Sequence, residues 1–549
     1  MPVVNIKIER LKRLVSGTKT DRILDTLPFI GVDIEDVTKD VVRVEYNPNR
    51  PDLSSDYGVA RALRGLLNIE TGLPEFKLAG RSGVTVNIEK QVKRVRPYLL
   101  ALVAKNGTLD EETLKQLIAM QEDLHNGIGR RRSKASIGIH NLDVIKFPLT
   151  YKTVAGDYTF RPLDERSEIP ISQILKDLDI GKRYGHLLSA FDRYPIVLDS
   201  AGTAISFPPI INSQATKINV GCHNLFVEVT ATDQVIAEDL LSIFAITLYD
   251  AGFEIRTVYI TSDKRKIETP QMRPKVVSAP MSNVNNILGL MLDAKQMITC
   301  LKRSRLGAKA LKGKIDCTIP RYRIDINDPI DIVEEVAIGY GIDNLEPSFP
   351  LSQTAGKKNP LYVYFNTLRE AMIGLGMIES LNLTLTSKQV QFNAFGITGN
   401  DAVSVESSKS TEHEILRGSI IPTLLQSLSY NIHEQYPQRL FEIGKSFLNS
   451  SSIIEETWRM AAVIAHADVG YTEIKSTLQA LLRSCFGKEA DTKPSTNHMF
   501  IEGRTADVMF DGKYIGVIGE IIPLALENFK LRTPVAAFEI NLLAIIKDK

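Results

Sequence analysis

Residues 322–345 constrain the fold more than any other segment of the sequence, because a proline, a glycine and the spacing of the acidic residues together predict a helix there. Pro329 suits the first turn of a helix, and Gly341 suits the position just beyond its end. Carboxylates spaced three and four residues apart between these limits lie on one face of such a helix. The segment therefore predicts an extended lead-in followed by a helix with an acidic face.

The acids of this segment are the first candidate site. Like charges three or four residues apart weaken a helix by a few tenths of a kcal/mol unless a cation meets them. A Mg²⁺ ion, or arginines of a partner protein, would supply that cation, whereas acids in a first turn also stabilise the helix dipole without any ligand. Spacing alone leaves both interpretations open. The candidate metal ligands are Asp325, Asp331, Glu334 and Glu335.

A run of hydrogen-bonding side chains between Ile205 and Asp233 is the second candidate site. A Pro208-Pro209 turn leads into a short apolar strand, and a polar loop and another strand follow. Such neutral donors and acceptors can hold a small polar ligand and orient a water. An ordinary hairpin closed by Asx and threonine motifs has the same composition, so both interpretations stand.

A basic run between Gly129 and His140 is the third candidate site. Its cations can neutralise phosphates, with an affinity that weakens as salt rises. Four such charges are also typical of a solvated loop. The residues in question are Arg130, Arg131, Arg132 and Lys134.

Composition narrows the class of protein. Lys and Arg total 66 against 65 for Asp and Glu, so any polyanion contact is local. The four cysteines lie far apart without a CxxC pair, which predicts a reducing, cytoplasmic location. No uncharged apolar stretch reaches the length of a membrane span. GxSxG, Walker and HExxH motifs are absent, so a self-contained hydrolase or nucleotide-dependent enzyme is not indicated.

The length of 549 residues indicates about three or four domains. Short β runs alternate with helical patterns along the chain, which predicts a mixed α+β protein. The charged, proline-bearing residues 261–274 form the predicted linker between the largest domain and the next one.

Several motifs, in the order of one family, resemble the β subunit of phenylalanyl-tRNA synthetase in its archaeal and eukaryotic form. The resemblance covers essentially the whole chain. The motifs are NPNRPDLSSDYGVARALRGLL, RRRSKASIGIHNLDVI, FPPIIN, PRYRIDINDPIDIVEEVAIGYGIDNL, GLGMIESLNLTLTS, LRGSIIPTLLQSLSYN and RLFEIGKSF.

The resemblance implies an α+β chain of four domains. They would be a small mixed N-terminal module (1–82), an α+β domain similar to tRNA-editing domains (83–262), a small winged-helix-like, metal-bearing domain (270–347) and a class II synthetase-like antiparallel sheet domain without a catalytic site (356–549).

An α2β2 assembly is also implied. A separate α subunit would use ATP to attach phenylalanine to tRNA-Phe, and the four acids named above would bind Mg²⁺ near the contact with α. In the family's catalytic relatives, the RLFEIG region holds an arginine and a glutamate for ATP and the amino acid. Between Leu416 and Phe447 only Arg417 and Arg439 are available, so this chain is expected to be catalytically silent in aminoacylation.

The editing domain of the family hydrolyses tyrosine wrongly joined to tRNA-Phe. The sequence departs from the family where Gln214 replaces an acid and His223 replaces an arginine. Weakened editing, accelerated by Gln214→Glu, is therefore expected. The pocket implied by the resemblance comprises Phe207, Asn212, Gln214, Thr216, Asn224, Glu228, Thr230 and Asp233.

Two alternatives remain open at this stage. One is a stand-alone tRNA-binding or trans-editing factor that never meets an α subunit. The other is a scaffold that holds a structural ion and has no catalytic part.

Overall fold

The computed structural model divides the chain into two compact units, residues 1–349 and 350–549. Within the described residues, no helix is both long and apolar enough to cross a membrane. The structure describes residues 2–262, 265–349, 354–398, 401–406, 408, 410–450 and 453–546.

The first unit begins with a three-stranded antiparallel sheet packed against three helices. Alternating apolar residues explain its first strand, because Val4 and Ile6 are buried while their neighbours face outward. The strands lie in the order β1-β3-β2. The elements are β1 (Val3–Lys7), α1 (Ile8–Leu14), α2 (Thr20–Thr26), β2 (Val32–Val37), β3 (Val41–Tyr46) and α3 (Asp56–Leu66).

A sheet of ten strands forms the centre of the first unit. Nine strands follow the order β12-β11-β10-β7-β4-β14-β5-β13-β6, and β15 pairs with β14. The elements are β4 (Arg81–Ile88), β5 (Tyr98–Lys105), α4 (Glu111–Asn126), β6 (Ala135–Asn141), β7 (Leu149–Val154), β8 (Thr159–Phe160), β9 (Ile169–Pro170), α5 (Ile171–Asp177), α6 (Asp179–Tyr184), β10 (Tyr194–Leu198), β11 (Ala204–Phe207), β12 (Ile211–Asn212), β13 (Leu225–Ala231), α7 (Gln234–Asp250), β14 (Glu254–Ser262) and β15 (Arg265–Thr269).

Both faces of this sheet are covered at β5. Leu100 and Leu102 pack with α4 and α7 on one face, while Leu99 and Val103 belong to the core on the other. A strand buried on both faces has a continuous apolar run, as Tyr98–Lys105 does.

The predicted linker at residues 261–274 is wrong for its first half. Residues 263 and 264 lie outside the described residues, but Arg265–Thr269 pairs antiparallel with Val258–Ser262 as β15. The charged side chains of this edge strand are exposed, and they concealed its β character in the sequence. The predicted boundary at 82/83 likewise falls inside β4.

The last part of the first unit combines a small sheet, in the order β16-β18-β17, with three helices. Gly339 allows α10 to approach α9 closely, because a Cβ atom there would lie 2.1 Å from the carbonyl oxygen of Cys300. The elements are β16 (Lys275–Pro280), α8 (Met281–Leu288), α9 (Ala294–Arg303), β17 (Gly307–Leu311), β18 (Lys314–Ile319) and α10 (Pro329–Tyr340).

The second unit is built on a seven-stranded sheet in the order β19-β22-β23-β27-β26-β25-β24. Apart from the parallel pair of β19 and β22, its strands are antiparallel. The mixed α+β prediction is thereby confirmed. The elements are α11 (Pro360–Gly374), β19 (Ile378–Glu379), β20 (Leu385–Thr386), α12 (Lys388–Gln391), β21 (Ile415–Leu416), α13 (Ile421–Tyr430), β22 (Gln438–Ser450), β23 (Ile453–Ala465), α14 (Tyr471–Phe486), β24 (Asp491–Pro494), β25 (Phe500–Phe510), β26 (Lys513–Ile521), α15 (Pro523–Asn528), β27 (Val535–Asn541) and α16 (Leu542–Ile546).

Candidate functional site

A cavity of about 600 Å³ opens in the first unit, beside the large sheet. Helix α4 forms one wall, residues 132–139 form a second, and residues 206–220 form a third. A space of this size matches the pockets that hold small molecules in proteins. It is therefore the candidate site of the first unit.

The inner end of the cavity is polar and buried. Ser206 donates a hydrogen bond of 2.9 Å to Oε1 of Glu228, and the ring of His140 lies 2.8 Å, Nδ1 to Oγ1, from Thr216. Oε2 of Glu228 and Nε2 of His140 are buried and have no hydrogen-bond partner among the described residues. A buried polar atom without a partner is destabilising, so these two atoms mark a place where a ligand group or a water can bind.

Strand register explains why there is room at this end. Glu228 on β13 lies opposite Gly138 on β6. A Cβ atom at Gly138 would lie 2.5 Å from Nε2 of His140, 2.7 Å from Oε1 of Glu228 and 3.2 Å from Oδ1 of Asn212. The glycine therefore leaves open the space onto which three polar side chains converge.

Arg132 supports the cavity wall instead of facing solvent. Its Nη1 donates to the carbonyl oxygens of Pro209 (3.2 Å) and Ile210 (2.8 Å), and its Nη2 donates to Glu122 at 2.7 Å. The guanidinium also lies 4.5 Å from the ring centroid of Tyr184. The prediction that Arg132 contacts tRNA is therefore corrected, since a residue this buried holds residues 209–210 in place.

Three consecutive arginines adopt the left-handed conformation at this point. The φ angles of Arg130, Arg131 and Arg132 are 50°, 51° and 65°. Such backbone is unfavourable for residues with a side chain and occurs where the surrounding structure imposes it. The turn buries Arg132 and leaves Arg130, Arg131 and Lys134 exposed.

Glu122 predicts a pH dependence of stability. Burial would raise the pKa of Glu122, but the hydrogen bond with His125 and the charge of Arg132 outweigh it and hold the pKa at about 2. Because the pKa of Glu122 is lowered on folding, its stabilisation is complete above about pH 4.5, the range of an unfolded glutamate, and is lost as pH falls towards 2. Thermal unfolding of Glu122→Gln should therefore differ from wild type by a constant amount from pH 5 to 7 and by less at pH 3.

Four of the eight predicted pocket residues line this cavity, namely Phe207, Asn212, Thr216 and Glu228. The other four are not among the residues that line it. Asp233 caps α7, and Asn224 donates to Asp143. Thr230 accepts a bond from buried Arg96.

Gln214 is the fourth residue outside the cavity lining. Its Oε1 accepts a hydrogen bond of 2.8 Å from the backbone N–H of Asp164. His223, the other departure from the family pattern, lies 2.6 Å from the carbonyl oxygen of Gly107 through its Nδ1. The amide of Gln214 is thus engaged with a loop whose residue Asp164 lines the cavity.

The residues at the inner end of the cavity that the sequence did not single out are Gly138, His140 and Ser206. Gly138 and His140 both stand in the strand ASIGIH, where the basic neighbours alone suggested a site. A glycine between β-branched residues is a signal of close approach by a ligand or another chain segment. Gly138 therefore indicated close approach at the position where the structure has the cavity.

The acidic segment is neutralised from within the chain. Arg323 is 4% exposed, and its Nε and Nη2 bond Oδ1 and Oδ2 of Asp325 at 2.9 and 2.7 Å. The same guanidinium bonds Glu335, which is also 4% exposed. Two of the four predicted metal ligands are therefore held by an arginine.

The other two predicted metal ligands face different surroundings. Oδ2 of Asp331 accepts from the backbone N–H groups of Asn327 (2.6 Å) and Asp328 (2.8 Å) at the start of α10, whereas Glu334 is exposed. No group of three or more His, Cys, Asp or Glu side chains is placed to hold a metal ion anywhere in the described ranges. The four acids do not fit one magnesium ion as they are placed, and the prediction that they converge is corrected.

The second unit has a buried polar centre of its own. Arg417 is 1% exposed and lies 2.6 Å, Nη1 to Oε1, from Glu442, which is fully buried. Arg439, the other arginine considered for phosphate binding, donates to Glu473 at 2.8 Å. Both arginines are thus engaged with carboxylates of the same unit.

Comparisons with known proteins indicate the family of the chain. Family models match the phenylalanyl tRNA synthetase beta chain CLM domain over residues 345–542 and the tRNA synthetase B5 domain over residues 277–342. The chain is 39% identical to the phenylalanine–tRNA ligase beta subunit of Archaeoglobus fulgidus, over 99% of this chain and 98% of that protein. It is 36% identical to the corresponding protein of Methanocaldococcus jannaschii, over 99% and 100%.

A solved structure also matches part of the chain. It is an N-terminal fragment of the phenylalanyl-tRNA synthetase beta subunit from Pyrococcus horikoshii, 31% identical, with a TM-score of 0.60, covering 62% of this chain and 99% of the fragment. Together with the family models, these matches define the class of protein, a polypeptide of the aminoacyl-tRNA synthetases. Within that class, the chain belongs to the family of phenylalanine–tRNA ligase β subunits.

Proposed function

We propose that this chain is the subunit of a phenylalanine–tRNA ligase that does not itself activate the amino acid. It works in a cytoplasmic α2β2 assembly whose α subunit uses ATP and Mg²⁺ to attach phenylalanine to tRNA-Phe. The pairing of Arg417 with Glu442 carries this proposal, because a buried arginine already neutralised by its own unit is not free to bind a nucleotide phosphate. The second unit therefore acts as a class II-like scaffold without a catalytic site.

Reconstitution tests this role. The purified chain is expected to have no aminoacylation activity, and activity should appear when the α subunit is added and the two co-elute from a sizing column. Aminoacylation by the chain alone would contradict the proposal. A chain that never binds α, yet binds tRNA, would favour the stand-alone tRNA-binding or trans-editing factor.

The cavity of the first unit hydrolyses tyrosine that has been wrongly joined to tRNA-Phe. Support comes from the free oxygen of Glu228, which can accept a hydrogen bond from the tyrosine hydroxyl. Phenylalanine has no such hydroxyl and would leave that buried oxygen unpaired. Sites built to bond a hydroxyl discriminate against the analogue lacking it by on the order of 10⁴ to 10⁵.

Hydrolysis at this site depends mainly on how the water and the ester are positioned. A water oxygen bonds to the ester carbonyl carbon, the bond from that carbon to the ribose oxygen breaks, and the ribose oxygen takes a proton. The side chains of Asn212 and Thr216 at the inner end can orient the water and the ester through neutral hydrogen bonds. These steps account for every bond and proton of the reaction without a nucleophilic side chain or a metal.

Gly138→Ala is expected to block the inner end of the cavity. The added methyl would overlap His140 and Glu228, because its Cβ would lie within 2.7 Å of both side chains. Deacylation of tyrosyl-tRNA-Phe should fall at least about tenfold, since small displacements of positioned groups have effects of this size or larger. Aminoacylation by the assembled ligase should stay unchanged, and Gln214→Glu, outside the cavity lining, should leave deacylation at the wild-type rate.

Arg130, Arg131 and Lys134 contact the backbone of tRNA in this proposal. All three are exposed, and Arg130 and Arg131 immediately precede the cavity residue Arg132. Removing one side chain that binds a phosphate should reduce the slope of log affinity against log salt by about one. The variant Arg130→Ala/Arg131→Ala should therefore lower that slope by about two, as measured by filter binding of tRNA-Phe; an unchanged slope would remove these residues from the interface.

A further inference from the structure

A separate cavity of about 320 Å³ lies between the end of β3 and the end of α4. Three prolines and a tyrosine form one wall, and the last residues of α4 with the two that follow form the other. Proline rings have a fixed backbone angle and no N–H donor, so the first wall is rigid and largely apolar. The lining residues are Pro2, Tyr46, Pro48, Pro51, Asp123, Leu124, Asn126, Gly127 and Ile128, none of which lines the larger cavity.

Asp123 supplies the carboxylate of this cavity, and no cationic side chain of the described lining meets it. The residue is half-buried, and the one hydrogen bond that its carboxylate accepts from the described residues comes from the hydroxyl of Tyr46, at 3.4 Å. Burial and the charge of the neighbouring Glu122 raise the pKa of Asp123, against the hydrogen bond from Tyr46, which lowers it. A carboxylate in these surroundings is stabilised by a cation that enters the cavity.

The position of this carboxylate on α4 favours a cation for a second reason. Helix α4 ends at Asn126, and the C-terminal end of a helix carries a partial negative charge that opposes an acid and attracts a cation. The carbonyl oxygens of Asp123 and Leu124 accept hydrogen bonds from the N–H groups of Gly127 and Gly129. That of Asn126 accepts none from the described residues, so it can accept one from a ligand in the cavity.

The lining suits an organic cation better than a metal ion. Mg²⁺ and Ca²⁺ take about six or more oxygen ligands, whereas this cavity offers one carboxylate and a few carbonyl groups. A protonated amine is satisfied by fewer partners, because its N–H groups bond the carboxylate and its alkyl chain packs against prolines and Leu124. The aromatic ring of Tyr46 in the same wall also attracts a positive charge.

We propose that this cavity binds the protonated amino group of an aliphatic amine, with Asp123 as its counter-charge and Tyr46 beside it. A volume of about 320 Å³ is at the lower end of the range for small-molecule sites, which fits an amine with a short alkyl chain. The same chemical group occurs on a free diamine and on a lysine side chain of the α subunit. The experiment below distinguishes these two sources.

Calorimetry with cadaverine, a linear diamine, tests the site on the purified full chain. Saturable binding of one cadaverine per chain is expected. The diol with the same carbon chain should bind at least about tenfold more weakly, because it lacks the charge that strengthens the hydrogen bond to the carboxylate. Asp123→Asn should weaken the binding of cadaverine by a similar factor. This variant should not lower the midpoint of thermal unfolding, since it removes a carboxylate that the helix dipole opposes.

Asp192→Asn is the matched control, since Asp192 is an exposed acid of the same unit that does not line the cavity. It should bind cadaverine as the wild-type chain does. Binding of cadaverine to the assembled ligase as well as to the chain alone would identify a free amine as the ligand, whereas binding to the chain alone would identify a lysine of α. Failure of the wild-type chain to bind cadaverine would overturn the proposal, and so would equal binding by Asp123→Asn or equal binding of the diol.

Discussion

Glu228→Ala should slow the hydrolysis of tyrosyl-tRNA-Phe by roughly 100-fold or more, because a site built to bond a substrate hydroxyl depends strongly on that bond. Glu228 is 2% exposed, and its Oε1 is already fixed by Ser206. The position of Oε2, which has no hydrogen-bond partner among the described residues, is therefore fixed before any substrate binds. Removing it deletes the proposed acceptor of the tyrosine hydroxyl.

Two comparisons separate this effect from a loss of folding. Aminoacylation should be retained in Glu228→Ala, because the change lies in the first unit and leaves the α subunit intact. Ser206→Ala should have a smaller effect, since it removes the support of Glu228 and leaves the acceptor in place. Hydrolysis at the wild-type rate by a folded Glu228→Ala variant would contradict the assignment of this cavity.

Arg323→Met should be the most destabilising of the substitutions considered. It would leave buried Glu335 and half-buried Asp325 without their shared counter-charge, although Arg50 lies 3.8 Å from Oδ2 of Asp325 through its Nε. Removing one partner of a buried ion pair typically costs about 3 to 5 kcal/mol. Thermal unfolding of the full chain should show the loss as a lowered midpoint of the transition that involves the first unit.

A charge-matched variant tells whether that loss is electrostatic. Combining Arg323→Met with Asp325→Asn and Glu335→Gln removes the unpaired charges and should recover much of the stability. Because Arg323 occupies both carboxylates, chelation of Mg²⁺ should leave the wild-type midpoint unchanged. A lowered midpoint on chelation, abolished by Glu335→Gln, would restore the magnesium site that the sequence predicts.

Local signals made many helices predictable. The helix predicted between Pro329 and Gly341 is found as Pro329–Tyr340, and the apolar residues that follow Asp233 form the helix Gln234–Asp250. In each, a proline or a capping aspartate begins the helix, and in the first Gly341 ends it. These signals act over a few residues, so the sequence displays them directly.

The order of the ten-stranded sheet could not be obtained in this way. Strand β4 pairs in parallel with β14, which lies far along the chain, and no local pattern encodes that choice of partner. The pairing decides which side chains meet, including Glu228 with Gly138 across β13 and β6. Glu228 was therefore a candidate from the sequence, whereas the glycine that makes room beside it was not.

The acidic segment also shows that the sequence does not reveal which cation neutralises a set of carboxylates. Sequence spacing correctly identified a set of carboxylates in need of a cation, but arginines were considered from a partner protein alone. Arg323 stands in the same motif, two residues before Asp325, and folding turns it onto Asp325 and Glu335. Arg323, which is close to Asp325 in the sequence, is thus the cation that pairs with both carboxylates in the structure.

The relative rates at which the wild-type ligase deacylates tyrosyl-tRNA-Phe and phenylalanyl-tRNA-Phe test the proofreading cavity most directly. Both esters share the same tRNA and differ by one hydroxyl, so their ratio reports whether that hydroxyl is recognised. Faster release of tyrosine, by about 100-fold or more, is predicted from a buried acceptor left unpaired with phenylalanine. Equal rates for the two esters in the wild-type ligase would contradict the account.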